Sequence, residues 1–213
     1  LSAFVPAFGS FKEKLQVEVQ TDGTVNQLNC PHLSVSVGNH FYLRGDVSLQ
    51  DLSHRKMLIY SAICPIVRRP GRNCLLCPDF SKNYNGVPPV LQHLGTVSFR
   101  GEVSGYFTDL VTYGQVRTDI GTIQTDVKLS SNKDKGYFAY SGAVKTKEFE
   151  LGKMLGNKKL GKVTFNLDVN SSHYENQYPS VLLKGLVASI DYSDYNYENI
   201  TLDGEYKQGG FTG

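Results

Sequence analysis

Along most of the chain, apolar and polar residues alternate with a period of two. That pattern sends successive side chains to opposite faces of a β-strand. It is clearest from Gly121 to Ser130, where Ile123, Thr125, Val127 and Leu129 alternate with Gln124, Asp126, Lys128 and Ser130. It returns from Lys162 to Asn170, with Val163, Phe165, Leu167 and Val169 against Thr164, Asn166, Asp168 and Asn170. Ile200, Leu202 and Tyr206 alternate in the same way with Thr201, Asp203, Glu205 and Lys207. Further strands are predicted at Lys12 to Gln20, Leu33 to Val37, Phe41 to Leu49, Thr96 to Ser104, Tyr113 to Thr118, Tyr137 to Thr146 and Leu182 to Tyr192. Turn formers separate them at Asp22-Gly23, Gly38-Asn39, Asn132 to Gly136 and Ser193-Asp194. Short, regular spacing of this kind predicts an antiparallel meander. One short helix is expected, Lys147 to Leu155, ended by Gly156 and pinned to the sheet by Phe149, Met154 and Leu155.

Short motifs recur. Arg44-Gly45-Asp46-Val47-Ser48 is echoed by Arg100-Gly101-Glu102-Val103-Ser104, each after a large apolar residue, Leu43 or Phe99. Leu94-Gly95-Thr96-Val97-Ser98-Phe99 is echoed by Leu160-Gly161-Lys162-Val163-Thr164-Phe165, and Ile120-Gly121-Thr122-Ile123 repeats its opening. Leu202-Asp203-Gly204-Glu205-Tyr206 keeps the same order of residue types. Such echoes point to one strand type used repeatedly along a solenoid-like sheet. The stretch from Ile59 to Asp79 breaks the pattern, because its prolines remove ladder donors and its alternation is poor. The expected organisation is therefore a β-repeat segment over 1–58, an irregular Cys- and Pro-containing connection over 59–93, and a second β-repeat segment over 94–213.

Composition agrees with strands. Among 213 residues there are 13 Tyr, 11 Phe and 21 Gly, with no Trp and only 2 Met. The net charge of +2, from 22 basic and 20 acidic side chains, offers no basic stripe for nucleic acid. No run of 18 apolar residues is present, so no helix is expected to span a membrane. Leu1 to Gly9 is apolar but lacks a basic leader and a cleavage-like ending, so it reads as the interior of a longer protein.

Catalytic chemistry is sparse. Cys74-Leu75-Leu76-Cys77 has the spacing of a redox pair or half a zinc site, but only Cys64 and His54 lie near and no second pair completes it. No metal and no cofactor are expected. Arg44-Gly45-Asp46 matches an integrin-binding tripeptide, yet it lies inside an alternating strand and its echo carries Glu102, so a sheet-building role is expected. Asn170-Ser171-Ser172 and Asn199-Ile200-Thr201 fit the glycan acceptor pattern, which arises often by chance. His32, His40, His54, His93 and His173 are scattered singly, without a nucleophile at a catalytic spacing. The expectation is a non-enzymatic chain.

Several stretches resemble the TamB-type translocation and assembly module proteins of the AsmA-like superfamily, as found in Bacteroidetes-like bacteria. They are Phe4 to Phe8, Gly38 to Leu49, Leu94 to Gly114, Phe149 to Gly156 and Tyr195 to Gly204. The likeness covers most of the chain outside Ile59 to Asp79. It implies an elongated, curled antiparallel sheet, all-β with at most one short helix and an open apolar groove (a β-taco). It also implies the periplasm of a Gram-negative bacterium, with anchorage in the inner membrane through a segment absent from this chain. The partners implied are an outer-membrane barrel of the BamA/TamA superfamily and either phospholipid or nascent outer-membrane protein strands. An apolar sheet face without covering helices needs some other shelter, and curling it into a trough supplies one. The expected groove residues are Ile123, Val127, Leu129, Val163, Phe165, Leu167 and Val169. The competing expectations are a structural β-repeat stalk or surface adhesin with a closed core, and, further off, a zinc or redox module around Cys64 to Cys77.

Overall fold

The computed structural model describes residues 14–24, 26–38, 41–50, 58–60, 93–106, 108–132, 136–174, 180–207 and 210–213. The cysteine-rich motif, the apolar start of the chain and residues 61–92 of the expected irregular connection lie outside the described residues. The strands are β1 (Leu15–Glu18), β2 (Asp22–Thr24), β3 (Gln27–Val37), β4 (Phe41–Gln50) and β5 (Leu58–Tyr60). They continue with β6 (Ser98–Tyr106), β7 (Asp109–Thr118), β8 (Gly121–Asn132) and β9 (Tyr137–Phe149). After the helix α1 (Leu151–Leu155) come β10 (Leu160–Tyr174), β11 (Ser180–Tyr192), β12 (Tyr195–Lys207) and β13 (Gly210–Thr212).

All 13 strands belong to one antiparallel sheet, ordered as they occur in the chain, with only β2 off the main path beside β3. The first strand does not pair with the last, so the sheet is open and elongated. The fold is the expected one: an open antiparallel sheet with a single short helix among the described residues. Arg44-Gly45-Asp46 and Arg100-Gly101-Glu102 both lie inside strands, β4 and β6.

Local chemistry explains the hairpins. Tyr192 pairs with Tyr195, leaving Ser193 and Asp194 as a two-residue turn with φ of 48° and 70°. Two positive φ values in a row make the mirror-image turn whose twist matches flanking strands. Between β7 and β8, the Thr118 hydroxyl accepts from the Ile120 N–H and donates to the Gly121 carbonyl. Ile120 is thereby turned inward and is 7% exposed.

Four details depart from the sequence reading. The expected turn at Asp22-Gly23 is instead the short strand β2, because Thr24 pairs with Gln27 and the reversal falls between them. Strand β3 begins at Gln27 rather than Leu33 and runs through Pro31. The register shifts between Cys30 and Leu33, so the missing proline donor falls at a bulge where no ladder bond is required. There the His32 N–H, at φ 60°, donates to the Asp46 carboxylate instead. The helix starts at Leu151, not Lys147, because Thr146 pairs with Phe165 and Phe149 with Val163. Strand pairing with a long neighbour outweighs the helix propensity of Lys147 and Glu148, and the Glu148 N–H donates to Thr164 Oγ1 at 3.0 Å. The helix does end at Gly156, which takes the left-handed conformation at φ 65°. Finally, β10, β11 and β12 all extend beyond their expected ends, lengthening the sheet across its strands.

The buried core is small and lies along one rim. Ile120, Phe149, Val163 and Val187 form it, and Leu94, Leu151, Met154 and Ile190 pack against it. Helix α1 packs on this rim cluster through Leu151 and Met154. His93 ties the segment before β6 to the same cap, donating from Nδ1 to the Met154 carbonyl at 2.9 Å. Phe149 is 2% exposed, the most buried apolar side chain described. Truncating Phe149→Ala should cost about 3–5 kcal/mol, the usual range for a buried Phe lost from a core. Chemical denaturation followed by circular dichroism measures it, and a loss within the range of surface substitutions would show that the rim cluster does not hold the sheet.

Candidate functional site

Cross-strand pairing determines which side chains share a face. Ile123 and Phe165 both pair with Thr146 of β9, and Val127 and Val169 both pair with Gly142. Leu129 pairs with Tyr140, and Leu167 pairs with Val144. Val163 sits two residues before Phe165 and meets Phe149 in the rim core. All seven expected groove residues therefore lie on one face of β8 and β10, on either side of β9.

That face runs on in both directions. Across β7 and β6 it continues through Leu110, Thr112, Val116, Phe99 and Val103. Across β11 and β12 it continues through Leu183, Val187, Ile200 and Leu202. The same alternation holds at the other end, where Leu28, Val35, Leu43, Val47 and Leu49 fall in register. The opposite face is polar, with Arg100 and Glu102 on β6, Gln124, Asp126 and Lys128 on β8, Asn166 and Asp168 on β10, and Lys184 against Asp203 on β11 and β12.

Burial divides the seven residues into two groups. Val163 and Leu167 are buried, at 3% and 8% exposure, while Ile123 and Phe165 pack against the rim cluster. Val127, Leu129 and Val169 lie farther from the α1 rim and are half-buried. No second sheet or long helix covers this part of the face among the described residues. His173 lies on the same face near the opposite rim, its ring 5.6 Å from that of Phe138. Its Nδ1 is buried without a hydrogen-bond partner among the described residues.

Register, which the sequence does not display, hid the rest of the lining. Leu182, Leu183, Leu186 and Val187 are all apolar and lie close together in β11. The structure turns Leu183 and Val187 to the apolar face and leaves Leu182 and Leu186 on the other, 52% and 43% exposed. Glycines of the face were also missed, and their only signal was their place within strand patterns.

The polar face carries ordinary surface electrostatics. Ser130 donates to Asp109 at 2.6 Å and Lys128 reaches the same carboxylate at 3.1 Å, which holds the Asp109 carboxyl below its usual value. Asp191 is likewise held low, first by Asn196 Nδ2 at 2.7 Å and then by the Lys162 N–H. Asp203 raises the Lys184 ammonium above its usual value through a 2.9 Å contact. No group of three or more His, Cys, Asp or Glu that would hold a metal ion occurs among the described residues. None of the described helices is long and apolar enough to cross a membrane.

Comparison with known proteins returns no match among family profiles, curated proteins or solved structures. What the geometry itself establishes is an open β-scaffold with one apolar and one polar face.

Two predictions follow from the two faces. A carboxyl held low in the folded state adds stability above its unfolded value, here about 3.8, and that stability disappears as pH falls through the lower folded value. Asp109→Asn and Asp191→Asn should each flatten the acid limb of a plot of Tm against pH, by a small amount because both groups are exposed. An unchanged acid limb in both would contradict the assignment. On the apolar face, His173→Leu removes an unpaired buried nitrogen and should stabilise the fold by ~1–3 kcal/mol. Denaturation that shows a loss instead would mean that the imidazole has a partner.

Proposed function

We propose that this chain is a periplasmic segment of a TamB-like envelope protein, whose apolar sheet face forms a conduit and scaffold for phospholipid transfer and outer-membrane protein assembly. The observation that carries the reading is the mainly apolar face that continues from β6 to β12, sheltered among the described residues by α1 along one rim. Val127, Leu129 and Val169 remain half-buried there. Each methylene moved from water onto such a surface contributes ~0.8 kcal/mol. A run of similar side chains holds an acyl chain without fixing it at one point, as a path for transfer requires.

Pairing favours hydrocarbon over polypeptide inside this path. Each of β7 to β11 is hydrogen-bonded to a neighbour on both sides, so no interior strand has a free edge to augment. A peptide lying on the face would bury amides without partners, at a cost of several kcal/mol each in an apolar setting. An acyl chain has no such groups. Barrel partners of the BamA/TamA superfamily and their nascent strands belong, on this reading, to the ends of the longer sheet.

The alternative of a stalk or adhesin with a closed interior requires a filled core. Among the described residues six hydrophobic side chains are buried, and no large side chain is below 2% exposure. That is too little packing for a closed sandwich, whose inner faces interdigitate throughout.

Photo-crosslinking in cells tests the proposal. A benzophenone side chain at Val127 or Val169 should capture phospholipid, whereas the same group at Asp126 on the polar face should not. Capture of neighbouring side chains alone at Val127 and Val169 would replace the conduit with a closed scaffold.

A further inference from the structure

Strand β12 runs for 13 residues, from Tyr195 to Lys207, and pairs with β11 from one end to the other. On its other side β13 pairs with Glu205 to Lys207. Gly213 then lies against Asp203 and Gly204. No described strand pairs with the outer side of Tyr195 to Leu202. The backbone N–H and C=O groups that point away from β11 there have no strand to bond.

Sheets commonly blunt such an edge with proline, lysine or a very short strand. The stretch Tyr195-Asn196-Tyr197-Glu198-Asn199-Ile200-Thr201-Leu202 has no proline and no lysine, and Glu198 is its one charge. Tyr195, Tyr197 and Ile200 are 71%, 49% and 37% exposed. The face of each side chain follows from its partner in β11. Tyr195 pairs with Tyr192, Tyr197 with Ile190, Ile200 with Val187 and Leu202 with Gly185. Ile190, Val187 and Leu202 all meet in the rim cluster, so the four β12 residues share the apolar face. The step from Tyr197 to Ile200 is three residues instead of two, and Asn199, at φ 56°, takes up the extra one as a bulge. Asn196 lies on the polar face, where its Nδ2 donates to Asp191.

We infer that the outer edge of Tyr195 to Leu202 pairs antiparallel with the same edge of a second copy of this chain, joining two sheets across a two-fold axis. The edge is complementary to itself. With the axis between Glu198 and Asn199, Tyr195 faces the partner's Leu202 and Tyr197 faces the partner's Ile200. Asn196 faces the partner's Thr201, and Glu198 faces the partner's Asn199. Apolar meets apolar and polar meets polar throughout, and no two charges stand directly opposite. A shift of one residue either way sets Tyr197 against Asn199 or Thr201 and loses the match. The register also fits the free length, bounded by the Ser193-Asp194 turn at one end and by Gly213 beside Asp203 at the other. Just beyond it, Lys184 holds Asp203 at 2.9 Å and offsets its charge toward the partner's Asp194. The two Glu198 carboxylates come nearest each other beside the axis, an exposed approach that weakens the contact without blocking it.

New backbone hydrogen bonds and two aromatic–aliphatic cross-strand pairs of each kind stabilise the joint. Because the same patch is used on both sides, pairing consumes the edge and stops at two copies. The inference stands apart from the conduit reading, since it depends on the strand edge and not on what lies over the face.

Analytical ultracentrifugation of the full chain, taken up to ~1 mM because so small an interface is weak, should show monomer passing to dimer. Tyr197→Lys/Ile200→Lys and Tyr197→Glu/Ile200→Glu each set like charges opposite one another twice, and each should weaken the dimer by about tenfold or more. An equimolar mixture of the two variants should dimerise again, because every lysine then faces a glutamate. Circular dichroism checks that the variants keep the sheet. If they do not, hydrogen exchange on the native chain answers the same question: the amides of residues 195–202 should exchange more slowly as concentration rises.

A native chain that stays monomeric, or that assembles beyond a dimer, overturns the inference. So does a dimer that both folded charge variants leave intact, or one whose 195–202 amides exchange equally fast at every concentration. Charge variants that stay monomeric when mixed overturn the register.

Discussion

Backbone hydrogen bonding between successive strands is the interaction on which the rest of this structure depends. From β7 to β11 each strand pairs with the one before it and the one after it, so the peptide groups are satisfied within a single sheet. Side-chain alternation then has an unavoidable result. One face collects Val127, Val144, Leu167 and Val187, and the other collects Asp126, Lys128, Asp168 and Lys184. A sheet so built is saturated in the plane of its hydrogen bonds and unsatisfied above one face.

Most β-proteins resolve that tension with a second layer. Here the described residues supply only a five-residue helix, which covers the rim where Phe149, Val163 and Val187 meet. Among the described residues no further layer covers the remainder. Val127, Leu129 and Val169 are half-buried there. Glycines lie on that face as well, and the rings of Phe99 and Phe211 lie over Gly101, Gly114 and Gly204. Stability, shape and the proposed capacity for hydrocarbon thus share one origin. A fully packed interior would stabilise the sheet further and close the proposed path.

The polar face shows the other side of the same economy. Its ion pairs, Lys184 with Asp203 and Lys128 with Asp109, are exposed and contribute little to stability. They keep this surface wet and give neighbouring strands complementary charges. Leu182 and Leu186 are exceptions on that surface, flanking Lys184 in a strand that is apolar on both sides.

The sequence by itself determined the element type, the open antiparallel meander and the shared face of Ile123, Val127, Leu129, Val163, Phe165, Leu167 and Val169. A period of two is a local property, and a strand displays it without reference to its neighbours. The turn at Ser193-Asp194 and the helix stop at Gly156 were legible for the same reason. Only the tertiary structure decided where helix α1 begins, since pairing of Thr146 and Phe149 with β10 overrides local propensity. It alone decided which leucines of β11 lie on the apolar face, which lining residues are already covered by the rim cluster, and which glycines lie too close to a neighbouring strand to carry a side chain. Those outcomes depend on register and on the approach of one backbone to another, and both arise between segments far apart in the chain.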